Sequence, residues 1–132
     1  MDLPKNEVSF VFDCVGEVTG KKYDGDFTVM CVLNMFQKRA YEVEKTRIQS
    51  DQANPSMGLM GIGEVLANLR VRIIKSPNWW DDSNGGYDIL DENMLVVLYD
   101  KVMEQEENWK KLVKEQSQPK DEKLGEKNTG RK

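Results

Sequence analysis

Along residues 7–15, EVSFVFDCV, apolar and polar positions alternate so that Phe10, Phe12 and Cys14 fall on one side, the spacing of a strand with one buried face. A second β-prone run, Asp26 to Leu33 (DFTVMCVL), follows the segment GEVTGKKYDG, whose Gly16, Gly20, Asp24 and Gly25 supply turn chemistry. The two runs predict an antiparallel hairpin whose connection is longer than two residues. A lone hairpin is marginal in water, so its apolar face needs a helix to cover it.

Near Asn34 the period changes from two to 3.6. Asn34 and Gln37 form a capping-box pair, in which each side chain satisfies an otherwise orphan backbone N–H. The helix they start is predicted to run to about Ile48, with Phe36, Ala40, Val43 and the stem of Arg47 on the core side and Lys38, Glu42 and Lys45 outside. The stretch QSDQANPSMGLMGIG, with Pro55 inside it, breaks that helix. A second amphipathic helix is expected from about Leu59 through Ile62, Val65, Leu66, Leu69 and Ile73. Leu69 to Ile73 also alternates like a strand, so the helix is assigned to about residue 70 and 71–75 stay open.

The last helix should begin near Glu92, with Asp91 as its cap, Leu90 and Leu95 as a hydrophobic staple and the Glu92 charge at the positive end of the dipole. Its core stripe would be Leu95, Leu98, Tyr99, Val102, Trp109 and Val113. Residues 116–132, QSQPKDEKLGEKNTGRK, offer Leu124 as the sole sizeable apolar group and cannot offset their ordering entropy, so a flexible polar tail is predicted there. The fold class expected is α+β: an N-terminal antiparallel hairpin or small sheet followed by three helices, in one domain over residues 1–115.

Between the second and last helices lies SPNWWDDSNGGYDILD, Ser76 to Asp91. Two adjacent tryptophans in a turn-like linker must dock on something, because each carries about 150–250 Å² of surface that a soluble monomer does not leave bare. Plugging a gap between helices is the commoner use; anchoring a partner is the other. Trp79 and Trp80, with Tyr87 in the same linker and the adaptable methionines Met57 and Met60 beside the glycines, are the candidate protein-binding residues.

Composition narrows the function classes. The 132 residues suit one core, and a net charge of −4 with 32% charged residues gives no basic excess for nucleic acid. Histidine is absent, which excludes Ser-His and Cys-His nucleophile activation and His-based zinc sites. The N-terminus lacks a signal-peptide layout and no run approaches a membrane span, so a soluble protein that stays where it is made is expected, with Cys14 and Cys31 as buried reduced thiols. Asp81, Asp82, Asp88 and Asp91 do not make a calcium loop: counting from Asp82, positions 6 and 12 hold Tyr87 and Asn93 instead of Gly and Glu. Gly58, Gly61 and Gly63 are not followed by the Lys-Ser or Lys-Thr of a phosphate loop. No metal, cofactor or catalytic set is predicted, and a binding protein is favoured over an enzyme.

Three segments carry a family resemblance. Tyr23-Asp24-Gly25-Asp26-Phe27-Thr28-Val29 runs into the helix of Asn34 to Ile48; Leu66-Ala67-Asn68-Leu69-Arg70-Val71 leads to Pro77-Asn78-Trp79-Trp80; and Asp88-Ile89-Leu90-Asp91 precedes the final helix with its Trp109. In this layout, spanning most of residues 7–114, the chain resembles the tail assembly chaperones of bacteriophages with long, non-contractile, siphovirus-type tails. The resemblance implies a non-catalytic protein of the host cytoplasm during infection. Such a protein binds the tape measure protein, keeps its apolar helical segments soluble, helps recruit tail tube subunits and is absent from the finished virion. It also implies that a longer form made by ribosomal frameshifting is compatible with the polar C-terminal stretch, and leaves self-association open. The rival readings are a virion component, such as a head–tail connector or decoration protein, and a small phage protein that binds a host protein.

Overall fold

The computed structural model describes residues 3–49 and 57–117. In chain order the elements are β1 (Val8–Val15), β2 (Lys22–Val29), α1 (Met35–Gln49), α2 (Met57–Arg72), β3 (Ile73–Lys75), the short α3 (Asn78–Asp82) and α4 (Glu92–Ser117). This is the expected α+β fold, with a three-stranded antiparallel sheet in the order β1-β2-β3. Helix α4 lies against β1 and α2, and α1 packs on α2 as the outermost layer.

The sheet is built on period-two burial. Phe12 is buried and Phe10 and Cys14 half-buried on the core side, while Ser9, Val11, Asp13 and Val15 face out. Strand β2 begins four residues earlier than predicted and ends at Val29, pairing Val8 with Val29 and Val15 with Lys22. The core-facing series of β2 is Tyr23, Gly25, Phe27 and Val29. Gly25, expected with Gly16, Gly20 and Asp24 to supply the turn, lies within the strand instead. It holds a strand position at φ 143°, and a Cβ there would sit 2.5 Å from the Pro77 ring that packs on it. The hairpin turn lies instead at residues 16–21, closed by the Gly16 N–H donating to the Lys21 carbonyl at 2.8 Å. Cys31 therefore lies beyond β2; it is buried, Cys14 is half-buried, both thiols are free, and burial pushes both pKa values up.

The open segment 71–75 divides in two. Helix α2 continues to Arg72, and Ile73–Lys75 then join β2 through Thr28 and Val29 with a local irregularity in register. Arg72 braces the chain where it turns: its buried guanidinium donates to Asn68 Oδ1 at 3.1 Å, to the Cys31 carbonyl at 2.7 Å and to Glu106 Oε1 at 2.6 Å, tying α2, the chain after β2 and α4 together. Burial alone would raise the Glu106 carboxyl, but hydrogen bonds from Arg72 and Lys110 outweigh it and hold its pKa down.

Helix α4 starts as predicted and buries Leu95, Leu98 and Val102, together with Met94, while Tyr99, Trp109 and Val113 are half-buried. The staple does not form, because Leu90 is 68% exposed while Leu95 is buried. Nor does the Asp91 carboxylate serve the helix end. It accepts from the N–H groups of Val18 (2.7 Å) and Thr19 (2.9 Å) and from the hydroxyls of Thr19 and Tyr23 (both 2.6 Å), clamping the hairpin turn to the start of α4. A Cβ at Gly16 would lie 2.2 Å from this carboxyl, so the residue opening the turn has no room for a side chain. Helix α4 extends to Ser117; the remainder of the expected tail, 118–132, lies outside the described residues.

Candidate protein-binding surface

Both tryptophans dock on the fold. Pro77 precedes the single turn of α3, which aims Trp80 inward and Trp79 across the sheet. Trp80 is buried, its ring edge-on to Phe27 at 6.3 Å. Trp79 is half-buried, edge-on to Tyr23 at 5.1 Å and to Phe27 at 5.6 Å, and its indole N–H donates to the Asp24 carbonyl at 2.8 Å. Trp80 therefore presents almost no surface to a partner, and Trp79 presents one edge, in an open cleft of about 360 Å³ shared with Lys21, Asp82 and Asp88.

Tyr87 stands apart from that cleft. Its ring carries the Arg70 guanidinium 4.4 Å from its centroid, and its hydroxyl lies 3.2 Å from Glu44 Oε2 and accepts from Arg47 at 3.0 Å. Arg70 also bonds Glu44 at 2.5 Å and the Asn84 carbonyl at 2.7 Å, so this group fastens the aromatic linker to α1 and α2. Burial would raise the Glu44 carboxyl; hydrogen bonds from Arg47 and Arg70 prevail and lower it. Met57 and Met60 open α2, and their side chains lie outside the described residues. The structure thus sets Trp79 and Trp80 against each other, ring centroids 6.5 Å apart, with Trp80 in the core and Trp79 at its rim, and places Tyr87 in a separate polar anchor.

The surface that sequence reasoning missed is on α1. The capping box forms as predicted, with Asn34 N–H donating to Gln37 Oε1 and Gln37 N–H to Asn34 Oδ1, both at 2.9 Å. Yet the helix is turned the other way round. Phe36 is 79% exposed, Met35 74% and Val43 59%, whereas Glu44 and Lys45 are drawn half inside with Gln37, Tyr41 and Ile48. Lys38 and Glu42 do face out, as expected. Two sets of residues share the spacing i, i+4, i+7: Phe36, Ala40, Val43 and Gln37, Tyr41, Glu44. The second faces α2 because Arg70 and Tyr87 satisfy the Glu44 carboxylate, which removes most of the cost of burying it. The signal available in the sequence was that second set, with Ile48 completing it.

The outcome is an apolar stripe on solvent. Ala40 lies between Phe36 and Val43, and the resulting shallow groove of about 400 Å³ is edged by Arg39 and Glu44. Among the described residues no group of three or more Cys, Asp or Glu could hold a metal ion, and no helix is long and apolar enough to cross a membrane. No protein-family model, curated protein or solved structure matches the chain.

Proposed function

We propose that this chain is a non-catalytic binding protein that receives an amphipathic helix of its partner on the exposed stripe of α1, and that the partner is a phage tape measure protein. The observation that carries the reading is the inversion of α1, which leaves Met35, Phe36 and Val43 more than half exposed while a glutamate and a lysine of the same helix are half-buried. Full burial of such side chains is worth about 1.5–3 kcal/mol each, so covering the exposed parts of three would contribute several kcal/mol to a complex. A straight stripe at i, i+4 and i+7 with a small residue in the middle suits the helix-in-groove mode of recognition. The resemblance to tail assembly chaperones supplies the identity of the helix, since a tape measure protein is long, helical and apolar before assembly. Recruitment of tail tube subunits belongs to the same proposal.

Co-expression tests it. A tape measure fragment that aggregates alone should become soluble and co-purify with the wild-type chain, and should return to the pellet with Phe36→Ser/Val43→Ser, whose own melting temperature stays near wild type because both positions are exposed. A fragment that remains insoluble beside the wild type, or is rescued equally by the double variant, refutes the reading. Mass spectrometry of purified particles separates it from a virion component, which would be present in stoichiometric amount.

A further inference from the structure

Of the two edge strands β1 is the long one, eight residues against three in β3, and its backbone geometry is legible from the turn. Because the Gly16 N–H donates to the Lys21 carbonyl, Gly16 and Lys21 are a hydrogen-bonded pair. Alternation along an antiparallel ladder then directs the N–H and C=O groups of Val8, Phe10, Phe12 and Cys14 toward β2, and those of Ser9, Val11, Asp13 and Val15 away from it. Two bonds confirm the phase: the Val15 carbonyl accepts from Asn93 Nδ2 at 3.1 Å outside the ladder, and on β2 the Asp24 carbonyl accepts from the Trp79 indole. Asn93 thus occupies the Val15 end. No described group bonds the main chain of Ser9, Val11 or Asp13, and Val11, 73% exposed, stands at the centre of this open row.

Edges of this kind are usually blunted by proline, lysine or a bulge. Within Val8–Val15 there is no proline and no basic residue, and the β1–β2 register runs without a break, so Asp13 is the single charge along the strand. We propose that β1 pairs antiparallel with β1 of a second copy about a two-fold axis at Val11, joining the two sheets into one of six strands. The side chains select this register. With Val11 opposite Val11, Ser9 faces Asp13 of the second copy on both sides of the axis, within reach of a hydroxyl-to-carboxylate bond, and Glu7 faces Val15. Sliding by two residues one way sets Asp13 against Glu7; sliding two the other way sets Ser9 against Val15, whose carbonyl Asn93 already holds; and a slide of four in that direction sets Asp13 against Asp13. Like charges directly opposite destabilise a pair, so the two-fold at Val11 is favoured: it pairs residues 8–14 of β1 with no like charges opposite and leaves the Asn93-held Val15 carbonyl, which faces Glu7 outside the strand, out of the ladder, whereas a two-fold at Ser9 would pair only Val8–Phe10 within the strands. The core-side neighbours across the new ladder are Phe10 and Phe12, which extend the aromatic layer already formed with Phe27.

Sedimentation equilibrium of the full chain across a concentration series tests the pairing. A monomer–dimer equilibrium is expected, with a dimer of twice the 15.2 kDa chain mass. Each substitution at Ser9 acts twice, so Ser9→Asp should weaken association by about tenfold and Ser9→Lys should tighten it several-fold. Ser9 is exposed and its hydroxyl meets the Thr28 hydroxyl at 2.7 Å, so either change gives up one surface hydrogen bond and leaves the monomer folded. Val11→Pro, which deletes an outward N–H and spares the β1–β2 ladder, should abolish the dimer. A chain that stays monomeric up to about 1 mM overturns the proposal. So does a dimer indifferent to Ser9→Asp and Ser9→Lys, which would use another surface. Edge amides of Ser9, Val11 and Asp13 that gain protection only when a tape measure fragment binds would assign the edge to that partner and equally overturn pairing between copies.

Discussion

Truncating Trp80 is the sharpest probe of how the aromatic linker holds the fold. The ring is 4% exposed, edge-on to Phe27, and closed from behind by the main chain of Gly86, where a Cβ would come 2.8 Å from the ring. Trp80→Ala therefore opens a cavity bounded by Phe27, Leu66 and Trp79, which rigid backbone on one side keeps from collapsing. Substitutions of this type cost about 3–5 kcal/mol. At about 4 °C or more per kcal/mol for a domain of this size, the melting temperature should fall by at least about 12 °C. Trp79→Ala should cost less, about 2–3 kcal/mol, because its ring is already half in solvent and what is lost is partial burial and one hydrogen bond to Asp24. Trp79→Phe keeps most of the ring and should cost about 1 kcal/mol. Urea unfolding followed by far-UV circular dichroism, rather than by tryptophan emission, reads all three variants on one scale. A Trp80→Ala chain within about 1 kcal/mol of wild type, or a Trp79→Ala chain less stable than Trp80→Ala, would show that the linker is not seated as described.

Two further outcomes follow from buried charge. Arg72→Leu should cost about 3–5 kcal/mol in the same urea assay, because it strands the Cys31 carbonyl and half of the Glu106 carboxylate, and Glu106→Gln in that background should restore part of the loss; a neutral Arg72→Leu would contradict the assigned role. The hydroxyls of Thr19 and Tyr23, with the Thr19 and Val18 amides, hold Asp91 at a pKa of about 2, below its ordinary 3.8, so the ionised form stabilises the fold fully above about pH 4 and that stabilisation fades as pH falls toward 2. The melting-temperature gap between wild type and Asp91→Asn should accordingly be widest near neutral pH and narrow below pH 4, and a gap independent of pH would show that the clamp is not ionic.

Strand β1 and the buried stripe of α4 were legible because their larger apolar groups share one face: Phe10 and Phe12 outweigh Val11 and Val15 on β1, and Leu95, Leu98 and Val102 line one side of α4, whereas β2 was displaced by four residues because Gly25, expected in the turn, lies within the strand. Helix α1 offered two faces of equal period, and the choice between them rests on Arg70 and Tyr87, which lie 26 and 43 residues away from Glu44. Periodicity contains no term for such a partner. The same holds for Asp91, whose local pattern reads as a helix cap but whose donors come from a turn 72 residues earlier. The tryptophans were correctly required to dock; their division between Trp80 inside and Trp79 at the rim depends on Gly25 and Pro77 meeting, which is a tertiary fact.

Hydrogen–deuterium exchange of the chain alone and in complex with a tape measure fragment tests the central claim most directly. If the inverted α1 is the receiving surface, amides along residues 35–48 gain protection in the complex, while the Trp79 cleft, lined by Lys21, Asp82 and Asp88, exchanges as before. Protection confined to the Trp79 cleft, with α1 unchanged, would contradict the account and return the binding role to the aromatic linker.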